Sequence, residues 1–169
     1  MKQPLTVERL IERAEIIDVL AYQFCQGVDT ADWPLYRSAF TEEVYADFYD
    51  PNLKHVPKPK VMKSDDWIAF CASVMNGFDA TQHNLNNFIF NFESDGTVTV
   101  KAYVISEHHL GNDNNSIGGQ YTFKFKRTDQ GWKCFNYGVR TIWQKGNQAL
   151  FEQAMARVRR GEGRNGKKN

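Results

Sequence analysis

Three side chains along the chain combine acid–base chemistry with positions that can face an interior. In "FDATQHNLNNFIFNFESDGTVTV", His83 stands among polar residues just before an aromatic, alternating run. An imidazole there is either a surface residue at a strand entry or a base at the mouth of a pocket. Simple alternation sets His83 opposite in parity to Phe88, Phe90 and Phe92. It shares their face only if a bulge near Asn86–Asn87 reverses the register, or if the chain is not yet paired at His83. In "TVTVKAYVISEHHL", Val98, Val100, Ala102, Val104, Ser106 and His108 share one parity, so His108 is expected inward and His109 outward. In "QYTFKFK", Tyr121, Phe123 and Phe125 point inward, which brings a phenol into the same interior. A buried imidazole and phenol need partners, because an unpaired buried polar group costs roughly 1–3 kcal/mol.

A neutral imidazole can remove a proton from carbon beside a carbonyl, and a second imidazole or a phenol can donate to the oxygen that then gains charge. Such chemistry needs neither metal nor cofactor. The chain has no phosphate-cradling glycine loop, and no His, Cys or acidic pair at a diagnostic metal-ligand spacing. Arg140 lies inside an aromatic strand and can pair with a carboxylate or with a substrate.

The elements that must position these groups follow from periodicity. Thr6 caps a long helix whose apolar stripe reads Leu10, Ala14, Ile17, Ala21, Phe24 and Val28, ending near Gly27–Asp29. Tyr22 and Asp29 are seven residues apart, about two α-helical turns, and are expected to face the same space. "DWPLYRSAF" reads as a second, short helix capped by Asp32, and "EEVYADFYD" as a strand. "PNLKHVPKPK" reads as a loop. Ser64, Asp65 and Asp66 open a helix with Trp67, Phe70, Cys71, Val74 and Phe78 on its inner face. Strands are then expected at about 83–93, 97–110, 119–127 and 131–143, with "GNDNNSIGG" as a longer loop between the second and third. Helices followed by an antiparallel sheet make an α+β domain spanning 1–145. Residues 146–169 read as a short helix running into a basic, flexible tail.

Bulk composition fits this picture. A chain of 169 residues suits one core, and 41% hydrophobic with 24% charged residues is ordinary for a globular protein. A net charge of +1 recruits no nucleic acid. Cys25, Cys71 and Cys134 are odd in number and widely spaced, which points to no disulfide framework and to a cytoplasmic setting. The N-terminus turns charged within a few residues, unlike a signal peptide, and no run is long enough to span a membrane.

In this order, "GVDTADW" after the first helix, "TQH" before a long strand and "GGQYTFKFKRTDQGWK" near the end resemble the SnoaL-like branch of the nuclear-transport-factor-2-like superfamily. The resemblance covers about Ile11 to Trp143. The nearest members in pattern are scytalone dehydratase, hexachlorocyclohexane dehydrochlorinase and the bile-acid dehydratases. It implies a cone-shaped α+β barrel, with a strongly curved sheet wrapped around the N-terminal helices, and a homodimer or homotrimer. It also implies an Asp–His pair at Asp29 and His83, with His108 as a second active-site histidine. On that reading Asp29 fixes the tautomer of His83, and His108 or Tyr121 donates to the substrate.

The departures from the family pattern bear on the substrate. A tyrosine of scytalone dehydratase is replaced by Val28, another by Phe48, and its serine and asparagine by Gly119 and Tyr121. The lysine and arginine of the dehydrochlorinase are replaced by Phe24 and Tyr137. The resemblance therefore implies a lyase or isomerase acting on a small hydrophobic, oxygenated ring compound, with Tyr22, Phe24, Phe48, Tyr121, Tyr137 and Arg140 around it. The alternative is a non-catalytic pocket or assembly domain, such as a ring-hydroxylating dioxygenase β subunit.

Overall fold

The structure, a computed structural model, describes residues 6–48 and 59–164. The loop expected at "PNLKHVPKPK" lies, through Lys58, outside the described residues, as does the end of the tail. The chain opens with α1 (Val7–Asp18), capped as expected by Thr6, whose hydroxyl accepts from the Arg9 amide. The helix does not continue as α. It widens into a π-helix at Val19–Gln26 and closes in a short turn, α2 (Gly27–Asp29). Ile16, Leu20, Phe24 and Val28 form a buried row at a constant step of four, flanked by the buried Val19, Cys25 and Gly27, while Leu10, Ala14 and Ala21 are exposed. The expected stripe is corrected accordingly. In a π-helix each N–H reaches back five residues, so the wider turn keeps every fourth residue in line.

Asp32 caps α3 (Trp33–Ser38) by accepting from the Leu35 amide. Three further helical and sheet segments follow before the long strands: β1 (Phe40–Asp47), β2 (Lys60–Lys63) and α4 (Ser64–Met75). β2, which pairs with β1, is not foreshadowed by the sequence reading. The long strands are β3 (Ala80–Phe92), β4 (Val98–Leu110), β5 (Asp113–Thr128) and β6 (Gly131–Gly146), and α5 (Leu150–Arg159) comes last. The six strands form one curved open sheet in the order β2-β1-β6-β5-β4-β3. Its neighbours are antiparallel except β1 and β6, which run parallel, so the all-antiparallel expectation is corrected at that one pair.

The segment "GNDNNSIGG" is also not a loop. Leu110 pairs with Asp113, so only Gly111 and Asn112 turn, and Asp113–Gly119 already belongs to β5. Gly111 takes the positive φ that so tight a turn requires. The polar run is tolerated in a strand because the buried Asn115 is satisfied: its amide donates to Asn147 O, and its carbonyl oxygen accepts from Gln144.

The expected bulge is present. The β3–β4 register shifts between Asn86 and Ile89, and Asn87 has a positive φ. Before it, Thr81, His83 and Leu85 are the more buried positions; after it, Phe88, Phe90 and Phe92 are.

The concave face packs on the π-helix. The Phe24 ring contacts Tyr36, Phe40, Tyr121, Phe123 and Tyr137 at centroid distances of 5.2–6.0 Å. A side chain buried this fully contributes about 1.5–3 kcal/mol. A second, smaller cluster of Val74, Phe78, Leu150 and Ala154 joins α5 to α4. Gly77 lets those elements meet, since a Cβ there would lie 2.1 Å from the Ala154 carbonyl oxygen. Neither backbone can yield without undocking α5. Gly77→Ala should therefore lower stability by about 1–3 kcal/mol in denaturant unfolding.

Candidate active site

The wall of the site begins where the π-helix ends. α2 terminates at Asp29, directly across from the first inward positions of β3. The Asp29 carboxylate accepts three hydrogen bonds from that strand. His83 Nδ1 donates to Oδ1 at 2.7 Å, Thr81 Oγ1 donates to the same oxygen at 3.0 Å, and the His83 amide donates to Oδ2 at 2.7 Å. The side chains of Asp29 and His83 are only 18% and 7% exposed. Burial alone would push the Asp29 carboxyl up. The His83 ring, its charge when protonated, its amide and the Thr81 hydroxyl outweigh burial and hold the carboxyl below its ordinary value. Asp29 is thus an ionised acceptor, and the short bond between the two requires a proton on His83 Nδ1.

His108 is almost fully buried and faces inward, as its parity predicts. Its ring lies 5.7 Å from that of His83, nearly perpendicular to it. Nδ1 donates to the Asn115 carbonyl at 3.2 Å. Burial first, then the neighbouring His83, depress its pKa to about 3. The ring is neutral, with its one proton spent on the backbone, so Nε2 can only accept. The expectation that His108 donates to a substrate oxygen is corrected: the carbonyl of Asn115 dictates the tautomer.

Both imidazoles open onto a cavity of about 470 Å³, within the range of small-molecule sites. Its walls are largely apolar, from Phe24, Val28, Phe48, Trp67, Phe70, Val74 and Val104 to Phe151 and Met155 of α5. Tyr36, Tyr121 and Tyr137 add hydroxyls. Tyr36 and Tyr137 hydrogen-bond to each other at 3.1 Å, and burial raises all three pKa values, which keeps them protonated donors. The buried Trp67 Nε1–H lies beside the Tyr36 hydroxyl without making a hydrogen bond of good geometry.

Phe24, Phe48, Tyr121 and Tyr137 line the cavity as expected, and Arg140 stands exposed at its rim. Tyr22 does not line it. It is 58% exposed on the outer side of the π-helix, because the wider turn breaks the two-turn alignment with Asp29 that an α-helix would give. The sequence reading passed over Thr81, Asn115, Gln144, Phe151 and Met155. The last two carried a signal, an apolar i, i+4 pair on the terminal helix, while Asn115 was hidden in a run typical of loops.

The SnoaL-like domain profile matches residues 8–137. This chain belongs to the SnoaL-like family. A curated relative, terrestric acid biosynthesis cluster protein E of Penicillium crustosum, is 27% identical over 151 residues, covering 84% of this chain and 90% of that protein. A scytalone dehydratase-like protein of Novosphingobium aromaticivorans superposes with a TM-score of 0.73 at 19% identity, covering 85% of this chain and 93% of that one. A type 2 hexachlorocyclohexane dehydrochlorinase superposes with a TM-score of 0.70 at 20% identity, covering 83% and 92%. These two structures share the fold with this SnoaL-like chain, and the relatives the sequence resembled are among them.

The buried His108 makes stability depend on pH. Its folded pKa lies below that of an unfolded histidine, near 6.5, so the unfolded chain binds the extra proton. Stability is unaffected above that value and falls as pH drops toward about 3, by up to about 1.4 kcal/mol per pH unit. Asp29 adds a loss of the same sign at lower pH, as its carboxylate is protonated. Unfolding curves from pH 7 to 4 should show this slope in the wild type and a shallower one in His108→Gln.

Proposed function

We propose that the protein is a cofactor-independent lyase of the dehydratase type, or an isomerase, acting on a small hydrophobic, oxygenated ring compound. One observation carries the reading: the ionised Asp29 carboxylate accepts a hydrogen bond from His83 Nδ1 at the wall of an apolar cavity, so that Nε2 is the nitrogen left to act as the base. His83 removes a proton from carbon beside a substrate carbonyl, and the electron pair passes to the carbonyl oxygen as an enolate. Asp29 stabilises the imidazolium so formed. Collapse of the enolate expels a β-hydroxyl, which leaves as water with the proton from Nε2, and a C=C bond remains. If the same proton returns to another carbon instead, the outcome is isomerisation.

The tyrosines, rather than His108, supply donors to the enolate oxygen. In the Tyr36–Tyr137 pair only one hydroxyl hydrogen is used between them, which leaves the other free to donate. His108 Nε2 accepts from a substrate hydroxyl and orients it. The family match and the dehydratase and dehydrochlorinase folds support this reading.

The test is a panel of cyclic β-hydroxyketones, followed by absorbance of the conjugated enone. His83→Ala should abolish turnover. Asp29→Asn should reduce kcat by roughly 10²–10⁴-fold with the fold intact, since the tautomer is lost. Activity should survive dialysis against chelator. Unchanged turnover in His83→Ala would leave a binding module.

We further propose a cytoplasmic homodimer or homotrimer packed through the outer sheet face. Ile89, Tyr103, Ile105, Ile142 and Trp143 are exposed there, and Trp143 lies flat over Gly118, opposite Ile105. Sedimentation should give a multiple of 19.5 kDa, and Ile105→Glu should return it to one chain.

A further inference from the structure

The C-terminal residues reach back to the Asp29–His83 pair. Arg164 donates from Nη1 to the Asp29 carbonyl at 2.7 Å and from Nη2 to the Met75 carbonyl at 2.8 Å, while its amide bonds Asn76 O at 2.7 Å. Asp29 and Met75 are the last residues of α2 and α4, so one planar guanidinium closes the ends of two helices whose terminal carbonyls have no partner within the helix. The group is partly buried, and its Nε has no partner. A fork held this way at two carbonyls fixes the distance between them, which a flexible ammonium cannot do. The cation is also attracted to the Asp29 carboxylate. Arg157, nearer the start of the same segment, ties it to Gly77 O and Asp79 instead, away from Asp29.

We propose that Arg164 is a positioning residue for the Asp29–His83 pair. By pinning the Asp29 backbone against the end of α4, it presents the carboxylate to His83 Nδ1 and couples the pair to the helix that walls the cavity. Its importance for turnover rests on the reading above; its effect on His83 does not.

The experiment is ¹⁵N–¹H NMR of the histidine rings in the full chain, comparing wild type, Arg164→Gln, Arg164→Lys and Arg157→Gln, with Asp29→Asn as reference. Wild-type His83 should show the Nδ1–H tautomer with slow solvent exchange. Arg164→Gln should speed that exchange about tenfold or more, as expected when a charge-assisted bond is lost, and mix the tautomers toward the Asp29→Asn pattern. Arg164→Lys should fall between, and it carries the same comparison if the glutamine variant does not fold. Arg157→Gln should lower the melting temperature and leave the His83 ring unchanged. A folded Arg164 variant with wild-type His83 exchange, or an equal disturbance by Arg157→Gln, would overturn the proposal. If turnover survives His83→Ala, the functional reading fails, while the ring spectra still decide the role of Arg164.

Discussion

The Asp29 carboxylate is the joint on which the site depends. An ion taken this far out of water is tolerated only when its lone pairs are occupied, and an unpaired one would destabilise the fold by several kcal/mol. Here all three bonds come from one short piece of β3. The same bonds therefore dock the end of the π-helix on the sheet and set the tautomer of His83. Structure and proposed chemistry share a single requirement: Thr81 and His83 must both face inward where α2 ends.

Two irregular backbone segments meet that requirement. The π-helix keeps Ile16, Leu20, Phe24 and Val28 in line, so the helix can bury a four-step row and still deliver Asp29 at its end. The bulge after Asn86 lets Thr81 and His83 share the inner face with Phe88, Phe90 and Phe92, which strict alternation forbids. Both depart from the regular repeat and are less favourable than it locally. Both sit beside the candidate site, where such departures concentrate.

This explains what could be read from the chain. Alternation in β4 placed His108 inward, caps at Thr6 and Asp32 fixed helix starts, and the order of motifs indicated the family and the cone. The bulge was legible as a condition, because His83 and the phenylalanines could not otherwise share a face. Tyr22 was misplaced, because a residue count presumes the α period and nothing in "VLAYQFCQ" announces a wider turn. The protonation of His108 was not legible either. It depends on the carbonyl of Asn115, a neighbour across the β4–β5 ladder in a segment whose composition reads as loop.

The cavity chemistry narrows further when its other ionisable groups are considered. Cys71, on the wall, has its thiol pushed up to about 12 by burial, and Cys25 behind it likewise, so neither offers a thiolate near neutrality. The buried tyrosines stay protonated for the same reason. His108 is neutral but has its proton bound to the backbone. One low-dielectric enclosure thus silences the thiols and the phenols near neutrality, and in the proposed chemistry His83 is then the group that takes a proton and returns it. Its partner, Asp29, remains charged inside the same enclosure. Burial that silences the other groups is what gives the Asp29–His83 pair its leverage.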